Sequence, residues 1–128
     1  MKYFELDTQT YFEEKNLCLA IGNFDGFHKG HIAILNSLKK IAKKENQQTA
    51  IMSFNPHPRQ FFEKKDESFN IYSKLDKINF LKKFDINIYI EFNFDKKLSE
   101  LSANQFVENI LINKLKIKNV IVGKDFKF

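Results

Sequence analysis

The chain has 128 residues, enough for one domain with a sizeable core and too few for two of ordinary size. Hydrophobic residues make up 43% and charged residues 29%, which excludes a disordered chain, and no run approaches the ~20 apolar residues of a membrane span. The formal charge is +5, yet Arg59 is the single arginine, so specific nucleic-acid recognition, which leans on arginine, is not expected. In chain order, the apolar run Leu17–Ile21 ended by Gly22 predicts a buried strand. Over 30–45, Ile34, Leu38, Ile41 and Ala42 recur at helical spacing with lysines on the opposite face. Residues 48–54 predict the next strand, stopped by Pro56 and Pro58.

A second cycle follows. Ser73 is placed to cap a helix over 74–84 with Leu75, Ile78 and Leu81 inward. Residues 86–92 alternate at period two, and Ser102 is placed to cap a third helix with Phe106, Val107, Ile110, Leu111 and Leu115 inward. Asn119–Val122 predicts a last strand, ended by Gly123. Phe80, Phe84 and Phe106 read as core, and Cys18 as an inert buried thiol that has no partner for an intrachain disulfide. Strand and helix alternating four times predict an α/β fold: a three-layer, Rossmann-like parallel sheet with helices on both faces. Ligands in such folds sit beyond the carboxyl ends of the strands, which directs attention to 22–31, 55–59, 93–97 and 123–128.

The segment 22–31, Gly-Asn-Phe-Asp-Gly-Phe-His-Lys-Gly-His, joins the first strand to the first helix. Glycines at 22 and 26 let a ligand approach the main chain, and Gly30 lies where the helix begins, with unpaired N–H groups and the positive end of the dipole. Such a corner suits phosphate. His28 and His31, three apart across the helix start, supply two donors for the charge of a phosphoryl or nucleotidyl transfer. Capping or packing is the plainer role for a lone histidine. The pair also suits a metal, but no third histidine or cysteine is placed to complete a zinc site, since His57 lies in another loop.

These residues resemble the His-x-Gly-His nucleotidyltransferase superfamily. Within it, they are similar to the FMN adenylyltransferase module of the bacterial bifunctional riboflavin kinase/FAD synthetase family, with Phe27 in place of the usual valine. Phe54-Asn55-Pro56-His57-Pro58-Arg59 matches that family's Phe-x-Pro-His-Pro element, and residues 101–107 and 122–128 match two further stretches. The resemblance implies transfer of AMP from ATP to FMN, giving FAD and pyrophosphate, with Mg2+ accompanying ATP. It implies that His28 and His31 hold the triphosphate and stabilise the transition state. Gly22, Asn23, Phe24 and Gly30 shape the ATP pocket, and Asp25 either supports the loop or approaches the magnesium through water. Pro56, His57, Pro58 and Arg59 border FMN, with Phe54 and Phe62 as flat surface for the isoalloxazine and His57 and Arg59 toward its phosphate. Gly123 and Asp125 fall to the nucleotide or magnesium, and Phe126 and Phe128 to the flavin pocket.

The family continues beyond the position of Phe128 with a Ser-Ser-Thr-x-Ile-Arg element and then a β-barrel riboflavin kinase domain. The reading expected from the sequence is therefore a single truncated domain over 1–128, cytoplasmic in the absence of a signal-peptide run, with weak or no activity alone. An incomplete sheet edge would favour self-association. Another acceptor, such as nicotinamide mononucleotide, phosphopantetheine or a cytidylyltransferase substrate, and a non-catalytic flavin- or nucleotide-binding role are the alternatives.

Overall fold

The computed structural model describes residues 1–24, 29–56, 61 and 74–123. The described elements in order are β1 (Lys2–Leu6), β2 (Leu17–Ile21), α1 (Lys29–Glu45), β3 (Gln48–Asn55), α2 (Lys74–Lys83) and β4 (Ile88–Asn93). A short helix α3 (Lys96–Ser99) follows, then α4, with an α-helical first turn Ala103–Gln105 and a π-helical body Phe106–Lys114, and last β5 (Asn119–Val122). All strand pairs are parallel, in the order β1-β4-β3-β2-β5. No helix among the described residues is long and apolar enough to cross a membrane.

The sheet is apolar on both faces because its central strands are. Every residue of β2 is buried. Cys18, Ala20, Ile51 and Tyr89 face one layer, where Leu35, Leu38 and Ala42 of α1 and Leu81 of α2 cover them. Leu19, Ile21, Ala50, Met52, Ile90 and Phe92 face the other, under Leu98, Phe106, Ile110, Leu111 and Leu115. This is the expected three-layer arrangement, with α1 and α2 in front and α3 and α4 behind. The chain steps from β2 through β3 to β4, then crosses behind the sheet to lay β5 on the other side of β2. The order reverses there, which opens the crevice at the carboxyl ends of β2 and β5.

Several local expectations differ from what is found. β1 is a strand that hydrophobic patterning does not mark: Phe4 and Leu6 turn to the back core while Tyr3 and Glu5 turn forward. The fourth strand begins at Ile88 rather than 86. Asn87 replaces a ladder bond with side chains, its Oδ1 accepting from the Thr49 N–H and its own N–H reaching Thr49 Oγ1, both at 2.9 Å. Nor does β4 show one buried and one open face, since Ile88, Tyr89 and Ile90 are all buried. Leu75 is 64% exposed at the start of α2, leaving Leu81 buried and Ile78 partly so. The proposed cap Ser73 lies outside the described residues.

The segment 93–97, singled out as a place to search for a ligand, holds the end of β4 at Asn93 and the start of α3 at Lys96. Asp95 caps α3 by accepting the Leu98 N–H at 2.9 Å. Ser102 caps α4 as expected and does so reciprocally: Gln105 N–H donates to Ser102 Oγ at 3.1 Å, and Ser102 N–H to Gln105 Oε1 at 2.9 Å. The π winding then widens the turn, so Leu115 N–H bonds to the Ile110 carbonyl at 2.9 Å, five residues back. Phe106, Ile110, Leu111 and Leu115 stay inward under that winding, while Val107 is carried out to 45% exposure.

Candidate active site

Gly22 continues β2 into the crevice, its N–H donating to the Met52 carbonyl of β3 at 3.1 Å. A side chain there would crowd the next aromatic: a Cβ on Gly22 would lie 3.1 Å from Cε2 of Phe24. Phe24 itself is fully packed and holds φ at 55°, a conformation a bulky residue keeps only when its surroundings over-determine it. The surroundings here are the front core and His31, whose ring centroid is 5.1 Å from that of Phe24. Phe24 in this strained conformation thus sets the surface against which His31 rests.

α1 is 17 residues long, with Gly30 and His31 in its first turn. That turn holds no acidic residue, while Lys43 and Lys44 occupy the last, so the charge placement leaves the amino end electropositive. Gly123 comes to the same place from β5: a Cβ on it would lie 3.4 Å from Ile34 Cδ1 of α1. The fold therefore brings together Gly22, Asn23, Phe24, Gly30, His31 and Gly123 at the carboxyl ends of β2 and β5. There the half-buried imidazole of His31 stands in the first turn of α1, beside the end of β2. Asp25, His28 and Asp125 lie outside the described residues.

The flavin-facing expectation divides. Pro56 stands just beyond β3, joined to Asn55 by a cis peptide bond. His57, Pro58, Arg59, Phe62, Phe126 and Phe128 lie outside the described residues. Phe54 does not offer an open surface: it is 6% exposed, on the back face, with Phe94 at 5.6 Å and Phe106 at 6.1 Å between ring centroids. Strand parity explains this, because Phe54 points with Ala50 and Met52 while Ser53 and Asn55 point forward. Phe61 extends the same aromatic cluster through an edge contact with Phe94 at 5.4 Å.

A forward-facing polar group on β1, β4 and β3, across the sheet from β5, has no counterpart in the sequence reading. Ser53 and Tyr89 hydroxyls meet at 2.7 Å in the interior. Glu91 Oε1 accepts from Asn55 Nδ2 at 2.7 Å and lies 3.7 Å from Lys74 Nζ. Lys74 also pairs with Glu5 at 2.8 Å, and the Tyr3 hydroxyl donates to Glu5 at 2.9 Å. The lysine hydrogen bond holds the Glu5 carboxyl below its ordinary value, and Glu5 in turn raises the Lys74 ammonium. Burial, reinforced by Glu5, pushes the Tyr3 phenol well up. The signal available in the sequence was parity, since Glu91 shares its strand face with Tyr89. An open groove of about 430 Å³ lies elsewhere, between Thr8, Lys97, Asn109 and Lys114, and contains none of the expected site residues.

The FAD synthetase family model matches residues 11–128. The chain belongs to the FAD synthetase family. Bifunctional riboflavin kinase/FMN adenylyltransferases are among its relatives, that of Buchnera aphidicola subsp. Schizaphis graminum being 41% identical over 88% of this chain and 36% of its own. The Haemophilus influenzae protein of the same description is 37% identical over 86% of this chain and 36% of its own. For Escherichia coli K12 the identity is 30%, over 90% of this chain and 37% of that protein. The chain thus spans a little over a third of the length of these curated relatives. A crystal structure described as a macrolide-efflux protein from Streptococcus pneumoniae superposes with a TM-score of 0.84 over all of this chain and 50% of that one. At 21% identity it shows that the FAD synthetase fold described above is shared, and nothing of function.

Among the described residues no group of three or more histidine, cysteine, aspartate or glutamate side chains is arranged to hold a metal.

Proposed function

We propose that the chain is an FMN adenylyltransferase module, which transfers AMP from ATP to FMN and releases pyrophosphate. The observation that carries this reading is family membership over residues 11–128, a span that includes the histidine segment and the Phe-x-Pro-His-Pro element. In the reaction an FMN phosphate oxygen forms the new bond to the α-phosphorus of ATP, and the bond from that phosphorus to the pyrophosphate breaks. His31, with His28, donates to the triphosphate oxygens as charge builds on them. Gly22, Asn23, Phe24 and Gly30 keep the main chain close to the nucleotide, with Gly123, Asp25 and Asp125 completing the ATP side.

Pro56, His57, Pro58, Arg59 and Phe62 form the flavin side in this proposal, with Phe126 and Phe128. Phe54 supports them from the core and does not stack on the ring. Magnesium arrives with ATP and supplies further charge neutralisation. A riboflavin kinase domain in a longer parent, a cytoplasmic location, and self-association along β5 belong to the same proposal. No nucleic acid partner does.

The test follows FMN fluorescence during titration with the chain, with and without ATP and magnesium, while chromatography watches for FAD. The expected result is binding of both substrates, with slow FAD formation that His28→Ala and His31→Ala each reduce at least about a hundredfold, the scale of losing one oxyanion-type donor. FMN bound without any FAD would favour the non-catalytic role. Indifference to FMN with response to another mononucleotide acceptor would favour a sister transferase. A folded sample that binds neither substrate would overturn the proposal.

A further inference from the structure

Both stems of the connection between β3 and α2 close on one carboxylate. Asn55 is the last residue of β3 and Lys74 the first of α2, and both reach Glu91 Oε1, at 2.7 and 3.7 Å. We infer that Glu91 is a positioning residue, which ties the end of β3 at Asn55 to the start of α2 at Lys74 and so fixes the two ends of the 56–73 connection relative to each other. The inference rests on the proposed function for its consequence, since Pro56, His57, Pro58, Arg59 and Phe62 all belong to this connection.

The energetics favour Glu91 over its neighbours as the clamp. Its side chain is 11% exposed, whereas Lys74 and Glu5 are 45% and 62% exposed, so the Lys74–Glu5 pair is screened and contributes little alone. A nearly buried carboxylate needs its charge and lone pairs answered, and a hydrogen bond to it is stronger than one between neutral groups. Glu5 stands directly across from Glu91 on β1, an arrangement that repels unless a cation lies between. Lys74 is that cation. Asn55 is fixed a second time, since its carbonyl accepts the Phe94 N–H at 3.1 Å. The side-chain bond therefore decides the direction in which the chain leaves β3, while the main-chain bond keeps it in register.

The test compares the full chain with Glu91→Leu, Glu91→Gln and Lys74→Met. Glu91→Leu removes the acceptor and the charge and is expected to weaken FMN binding about tenfold, the scale of one charged hydrogen bond. Glu91→Gln keeps an oxygen for Asn55 and should lose no more than about threefold; Lys74→Met, at the surface, should lose about as little. ATP affinity should be unchanged in all three. Amide exchange supplies a readout independent of flavin: Glu91→Leu should speed exchange at Phe94 and within 56–61, with β2 unaltered. Equal loss of FMN and ATP affinity, or uniformly faster exchange, would mean general loosening and overturn the inference. So would wild-type FMN affinity in Glu91→Leu. Should the wild-type chain bind no FMN, the proposed function fails while the exchange pattern still decides for or against the clamp. Should Glu91→Leu not fold, Asn55→Ala, which removes the donor of the same hydrogen bond from an exposed position, decides it by the same two readouts: selective loss of FMN affinity with faster exchange at Phe94 supports the clamp, and wild-type behaviour in both overturns it.

Discussion

Gly22 and Gly123 flank the same crevice and are glycines for different reasons. A methyl on Gly22 meets the ring of Phe24 at 3.1 Å, and that ring is pinned by its own left-handed backbone and by burial. Gly22→Ala is therefore expected to push Phe24 against His31 and to lower turnover or ATP affinity about tenfold, with a clear loss of thermal stability, since overpacking strains a filled interior by ~1–3 kcal/mol. A methyl on Gly123 meets only the tip of Ile34, in ordinary contact at 3.4 Å. Gly123→Ala should leave the melting temperature within a degree or two of wild type and nucleotide affinity within about twofold, because nothing packed must move. Steady-state kinetics and melting curves of the two variants side by side check both statements. Cys18 needs no comparable role: burial raises its thiol pKa, as expected for an inert core residue.

Among the elements, α4 shows how much a helix depends on its start. Its first turn is closed by the reciprocal Ser102–Gln105 pair, and the wide π body then relies on packing of Phe106, Ile110 and Leu111. Ser102→Ala is expected to destabilise the protein by about 1 kcal/mol, read as a lower urea midpoint with unchanged slope, because one N–H loses its acceptor at the helix end. The Ser102 cap was legible because hydroxyl, spacing and apolar run fall within a few residues. The π register was not. Five-back bonding and four-back bonding bury nearly the same residues, and only the exposed Val107 betrays the difference. α3 went unread for another reason: a helix of four residues is too short for any hydrophobic period to declare itself.

For the whole molecule, the two sheet edges among the described residues are unlike. β1 carries Lys2 and Glu5, while β5 presents Val120 and Val122 at 46% and 50% exposure. An apolar edge strand is a template for further pairing, and charge is the usual remedy. Changing both valines to lysine is expected to lower the concentration-dependent mass seen by light scattering, with little change in the melting temperature. Persistent association of the double variant would direct attention to another surface.

What the sequence determined alone was everything local and strongly periodic: the β2 run, the lysine-backed face of α1, the Ser102 cap, and a glycine-rich turn ending in histidine at a helix start. From these the alternating architecture follows, since each depends on residues within one turn or one strand of each other. Tertiary structure alone decided which distant groups meet. β1 became a strand because β4 offers it an edge; Phe54 turned to the core because parity and α4 draw it there. Glu91 became the meeting point of Asn55 and Lys74 because register places three strands and a helix around it. Such contacts join residues far apart in the chain, and no local pattern encodes which partner a side chain will find once the sheet has assembled.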